Sequence, residues 1–170
     1  GWYQRANGVT SYLDIMGDME RHPVPAPKGA IFIKDVKEAG KVVSAGASAD
    51  ILDLGDGVLG LEFHSKMNTI DNFLIQSYNE ALDLLDGDWN ALVVANEGDN
   101  FSVGANVMLV AMAASMQQWG QIEELVKNLQ DTCMRAKHHA KPVITAPHQM
   151  ALGGGAEMTM HSSATQATGE

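Results

Sequence analysis

Cysteine is nearly missing from these 170 residues, where Cys133 stands alone. One thiol cannot close an intrachain disulfide, so burial and hydrogen bonding must hold the fold, and a reducing, cytoplasmic setting is expected. Positive charge is scarce too: 11 lysines and arginines face 21 acidic residues, for a formal net charge of −10. A chain of that sign repels a duplex, which sets aside nucleic acid as a partner but leaves room for a small anion at a local site. Long apolar runs are also lacking. The longest, around 107–116, falls well short of the ~20 residues that span a bilayer, so no membrane partner is expected. The start, Gly1-Trp2-Tyr3-Gln4-Arg5, has no initiating Met and no basic-then-apolar plan of a secretory signal, which points to a piece of a longer chain. What is present is globular: 45% apolar and 19% charged residues suffice for the core of one ordinary domain.

Residues 1–46 differ from the rest. Pro23, Pro25 and Pro27 alternate between His22 and Lys28, and fixed φ without a backbone donor predicts an extended spacer. Short mixed segments surround it, so 1–46 reads as a connector from a preceding domain. From Ala47 the pattern sharpens. Two apolar segments, Ile51-Leu52-Asp53-Leu54 and Val58-Leu59-Gly60-Leu61, flank Asp56-Gly57, a pair suited to a type I′ hairpin turn. Asn68 or Thr69 is placed to cap a helix carrying Ile70, Phe73, Leu74, Ala81, Leu82 and Leu85 on one face. A buried strand over 91–95, a helix bearing Met108, Met112 and Met116, a second helix over about 118–137 and a strand over 142–146 follow. Strand alternating with helix predicts an α/β fold with largely parallel strands over 47–170.

Chemistry is expected where loops leave the buried strands, because ligands of open α/β sheets gather beyond the carboxyl ends of strands. Two such loops stand out, Asn100-Phe-Ser-Val-Gly-Ala-Asn106 and Gly153-Gly154-Gly155. Each leads into a helix whose first N–H groups lack partners, and two such ends can aim donors at one oxyanion. Glycines there equally let a helix pack closely on a sheet. Glu157 falls in the first helical turn, where a carboxylate complements the helix dipole or serves as a general acid/base.

These residues carry a resemblance. The stretch Val93-Val-Ala-Asn-Glu-Gly-Asp-Asn-Phe-Ser-Val-Gly-Ala-Asn106 resembles the first signature of the crotonase (enoyl-CoA hydratase/isomerase) superfamily. Lys141-Pro-Val-Ile-Thr-Ala-Pro-His-Gln-Met-Ala-Leu-Gly-Gly-Gly-Ala-Glu157 resembles its second. The resemblance covers about 47–170. It implies a spiral of ββα units cut short before the C-terminal part of the domain, and a coenzyme A thioester as substrate. It also implies that the thioester oxygen accepts from the backbone N–H groups of Ala105 and Gly154, and that Glu157 is the first of two glutamates that activate water. The second falls beyond Glu170, so this piece alone is expected to be inactive. The resemblance puts Ser102 and Val103 near the adenine side of the CoA site, where they replace the family's smaller residues, and makes Lys66 a weak candidate for the phosphate side, a solvated lysine being the default. The preceding connector and the motif wording resemble fused bacterial 3-hydroxyacyl-CoA dehydrogenases of fatty-acid β-oxidation, which implies a multifunctional parent and a homo-oligomer. No Gly-x-Gly-x-x-Gly follows a strand here, so no cofactor is expected in this chain and any NAD site lies outside it.

Departures from the family pattern include Asn106, where Asp is frequent, and a shortened spacing between Lys66 and Asn68. The cluster Arg135, Lys137, His138, His139 and Lys141 reads as cations complementing a helix end rather than as a phosphate site. No pair of histidines has metal-ligand spacing, so no metal is expected. The methionine stripe reads as core or interface, or as the lining of an acyl pocket, and Cys133 as an inert core thiol. An enoyl-CoA hydratase is the leading reading; an enoyl-CoA isomerase and a non-catalytic acyl-CoA-binding or assembly module are the alternatives.

Overall fold

A computed structural model describes residues 1–6, 9–25 and 29–168. Pro27 and Lys28 of the proline-alternating stretch lie outside them. The chain divides into two compact units between Lys41 and Val42.

The first unit is more than a connector. Strands β1 (Tyr3–Ala6), β2 (Val9–Leu13) and β3 (Arg21–Pro23) pair antiparallel in that order, and helix α1 (Ile33–Glu38) follows. Asp14 Oδ1 accepts from the N–H groups of Met16 and Gly17 and shapes the turn after β2. The Arg5 side chain ties β1 to α1 through Asp35 and Glu38. Periodicity could not reveal these strands, because they are short and Tyr3 and Val9 lie exposed.

The second unit is built on a six-stranded sheet in the order β4 (Val42–Ala45), β5 (Ala49–Gly55), β6 (Val58–Phe63), β7 (Ala91–Ala95), β8 (Val143–Thr145) and β9 (Ala164–Thr165). The first two pairings are antiparallel and the remaining three parallel. The sheet therefore begins at Val42, inside the stretch read as connector. The hairpin forms as predicted, with Asp56 at φ 52° and Gly57 at φ 74°. Helix α2 (Asn72–Asp86) lays Leu74, Tyr78, Ala81, Leu82 and Leu85 over Ile51, Leu59, Leu61, Leu92 and Val94, all at most 1% exposed.

Details differ from the sequence reading. Asp71, not Asn68 or Thr69, caps α2 by accepting from Leu74 N at 2.8 Å. Asn68 instead ends a single 3₁₀ turn (Lys66–Asn68) and donates to the Asn100 carbonyl. Phe73, expected on the apolar face of α2, is more than half exposed. Helices α3 (Val107–Ser115), α4 (Trp119–Lys137) and α5 (Gly154–Met160) complete the unit, and α3 buries none of its residues. Met108, Met112 and Met116 are therefore not core.

The basic cluster has a structural use, though not at its own helix end. Lys141 Nζ donates to the carbonyls of Leu85, Gly87 and Trp89 at 2.5–2.8 Å, closing the C-terminus of α2. Arg135 reaches Asn79 and Asp83 on the same helix, both at 2.6 Å. An ammonium so placed answers both unpaired carbonyls and the negative end of the dipole. Replacing Lys141 by Met should lower unfolding free energy by about 2 kcal/mol, the scale of a lost charge-assisted site, as read by urea denaturation. A loss near zero would mean that water replaces the ammonium without penalty.

Candidate functional site

Beyond the carboxyl ends of β6, β7 and β8, three loop segments run side by side and pair through their backbones. Phe101 N donates to His148 O and Ser102 N to Met150 O, and Leu152 N returns a bond to Ser102 O at 2.9 Å. On the other edge, Ile70 N donates to Gly104 O at 2.8 Å and Asn106 N to Ile70 O at 3.3 Å. Ile70 with Ala105, and Ser102 with Ala151, thus form parallel bridges. The loops containing Ala105 and Gly154 are neighbours, held by main-chain bonds.

Two glycines set the directions of their amides. Gly104 has φ 89° and Gly153 φ 51°. A Cβ on Gly104 would sit 2.8 Å from the Leu152 carbonyl oxygen and 3.5 Å from Gly153 Cα, so only glycine lets the loops approach this closely. Every peptide bond here is trans. In a trans peptide the C=O and the following N–H point oppositely. Because Gly104 C=O points to Ile70 N, Ala105 N–H is turned away from Ile70. Because Gly153 C=O accepts from Glu157 N at 3.0 Å inside α5, Gly154 N–H is turned out of the helix. The two other glycines of the run serve packing. A Cβ on Gly154 would meet Ile70 Cδ1 at 2.7 Å, and one on Gly155 would meet Ser102 Cβ at 2.7 Å.

Next to Ile70 and Asn106, a cleft of about 250 Å³ opens between α3 and α4, lined by Leu109, Met112, Met116, Ile122 and Leu125 among others. Of the readings for the methionine stripe, a cleft lining describes Met112 and Met116. Asn106 Oδ1 caps α3 by accepting from Leu109 N, so it performs the structural duty of an N-cap carboxylate.

The other expected residues are placed differently. Glu157 is exposed and lies in a second cleft, with Gln130, Asp131, Cys133, Met134 and His161, rather than among the residues lining the first. Leu125, Leu129 and Cys133 form one stripe of α4; its ends line the two clefts and Leu129 packs against Gly154. Ser102, expected on the CoA side, is fully buried, with its hydroxyl engaged by Asn68 O and Gly104 N. Val103 is half-buried and Lys66 exposed. The cleft beside the 3₁₀ turn carries Glu62, Glu97 and Asp99, the wrong sign for a phosphate. Spacing along the chain also missed one grouping: β5 and β6 pair Asp50 directly with Glu62, and His64 follows two residues later on the same face, with ligand atoms within 4.8 Å of one another. The first unit holds a similar group, Asp14, Asp18 and His22.

A family model described as Enoyl-CoA hydratase/isomerase matches residues 54–167. The chain belongs to this family. A Bacillus subtilis (strain 168) protein named "Probable 3-hydroxyacyl-CoA dehydrogenase" is 35% identical over 99% of this chain and 21% of its own length. A Rickettsia felis protein, whose name includes the words fatty acid oxidation complex trifunctional enzyme, is 26% identical over 76% of this chain and 18% of its own length. Among solved structures, an enoyl-CoA hydratase/isomerase from Xanthobacter autotrophicus Py2 shares the fold with TM-score 0.64 and 24% identity, over 72% of this chain and 46% of that one. An enoyl-CoA hydratase from Shewanella pealeana ATCC 700345 gives 0.63 and 22%, over 71% and 46%. The chain thus spans about a fifth of these curated relatives and just under half of these solved family members. Among the described residues no helix is long and apolar enough to cross a membrane.

Cys133 fits its sequence reading as a core thiol: burial first, and the nearby Glu157 charge second, push its pKa up to about 11. At pH 8 its thiolate fraction is then about a thousandth. Iodoacetamide at pH 8 should alkylate the native chain at least about tenfold more slowly than the urea-unfolded chain. Equal rates would contradict the burial. Gly104→Ala, with both an unfavourable φ and a contact to Leu152 O, should destabilise by about 2 kcal/mol or more in the same denaturation assay.

Proposed function

We propose that this chain supplies the thioester-binding half of a 2-enoyl-CoA hydratase, inside a longer fatty-acid β-oxidation protein of the 3-hydroxyacyl-CoA dehydrogenase kind. The observation that carries the reading is the pairing of the two loops, with the Ala105 and Gly154 amides turned out of their own bonds. Two N–H donors fixed before the ligand arrives stabilise the negative charge that gathers on a thioester oxygen as water adds at C3, without reorganising during the reaction. The acyl chain takes the Met112–Met116 side of the cleft, where unbranched thioether side chains adapt to a flexible ligand. Glu157 removes a proton from the attacking water as the water oxygen bonds C3, and the second glutamate that the resemblance implies delivers a proton to C2. The dehydrogenase step of such a protein, and its NAD site, belong to sequence outside these 170 residues.

One observation favours a second reading. Glu157 is exposed and stands off the apolar cleft, as it would in an acyl-CoA-binding module that keeps the loops without the chemistry. Glu157→Gln in the full-length protein decides between them. A hydratase should lose about 100-fold or more of crotonyl-CoA hydration while its acyl-CoA affinity holds, since a general base contributes on that scale. Unchanged turnover removes Glu157 from the mechanism, and failure to bind either crotonyl-CoA or CoA sinks both readings.

A further inference from the structure

Ser102 lies where the three loop segments meet, and it grips all of them. Its N–H and C=O pair with Met150 and Leu152 at 3.0 and 2.9 Å. Its hydroxyl donates to Asn68 O at 2.7 Å and accepts from Gly104 N at 3.1 Å, while its Cβ packs over the bare Cα of Gly155. A hydroxyl can donate in one direction and accept in another, and no smaller side chain does both.

The consequence falls on Gly104. Glycine at φ 89° is otherwise the freest joint in the loop. Its N–H is held by Ser102 Oγ and its C=O by Ile70 N, so the peptide planes on both sides are fixed. The second of those planes carries Ala105 N–H. We propose that Ser102 is a positioning residue: it touches no ligand, but sets the direction in which Ala105 N–H meets a thioester oxygen. The proposal rests on the thioester reading above, and its test separates the two.

Calorimetric titration of the full-length protein compares butyryl-CoA with S-butyl-CoA, a thioether that lacks the carbonyl. The wild-type protein should prefer the thioester by about tenfold, the scale of one or two net hydrogen bonds. Ser102→Ala should bring the ratio to within about twofold of unity with S-butyl-CoA affinity unchanged; Ser102→Cys, which keeps a weak donor on a somewhat larger atom, should fall between. Asn79→Ala loses bonds to Thr132 and Arg135 away from these loops, and should lower the unfolding temperature while keeping the wild-type ratio. A wild-type ratio in Ser102→Ala, or in Ser102→Cys should the alanine variant not fold, overturns the positioning role. A collapsed ratio in Asn79→Ala also overturns it, because general loosening would then explain the effect. No preference in the wild-type protein removes the thioester reading itself.

Discussion

Phe101 and Ser102 donate to the carbonyls of His148 and Met150, and on that pairing the rest of the larger unit depends. β7 and β8 are parallel neighbours, so their carboxyl ends emerge on the same side of the sheet. Parallel register alone would let the two following loops splay into solvent. Backbone bonds between them, and a third set to the segment around Ile70, turn loose connections into a small second layer. That layer fixes where α3 and α5 begin. The Ala105 and Gly154 amides beside these helix starts are therefore positioned by strand pairing, which is stiff, rather than by loop preference, which is not.

Close approach of this kind restricts residue identity. Gly104 and Gly155 stand where a Cβ would come within 3 Å of the opposite segment, so packing alone demands them. Of the two readings of the glycine run, close packing is the one these contacts show; the proposed anion site would use the same lack of side chains. The scarce cations follow a similar logic. Lys141 and Arg135 are spent on the carbonyls and polar side chains of α2, which leaves them poorly placed to meet the phosphates of a nucleotide.

Much of this was legible in the residues. The Asp56-Gly57 turn, the buried strands at 91–95 and 143–145, and the helix opening at Gly154 each rest on a local signal, either φ > 0 or a short β-branched run. The site was legible as two loops because each follows a strand. What the sequence hid is what depends on distant pairing. Ser102 reads from the sequence as a residue near the adenine side of a CoA site, yet it is fully buried and its partners Asn68 and Met150 are 34 and 48 positions away along the chain. Asp71 won the cap over Thr69 because Ile70 is committed to the bridge with Ala105, which postpones the helix by two residues. The first unit escaped notice because its strands bury too little for a period to show.

Helix α3 is where pattern and structure part most widely, and the reason is instructive. A helix apolar on every side ordinarily lies inside a core. Here Val107, Met108, Leu109, Met112 and Met116 are each at least half exposed, and a cleft separates the helix from α4. Leucine at all these sites would interlock with α4 and close the gap. Methionine has three rotatable bonds and no branch, so it leaves the space adjustable rather than filled. An adjustable apolar wall beside a rigid pair of backbone segments is what the proposed ligand, an acyl thioester, would need: the carbonyl is the same in every member of the series, and only the chain differs.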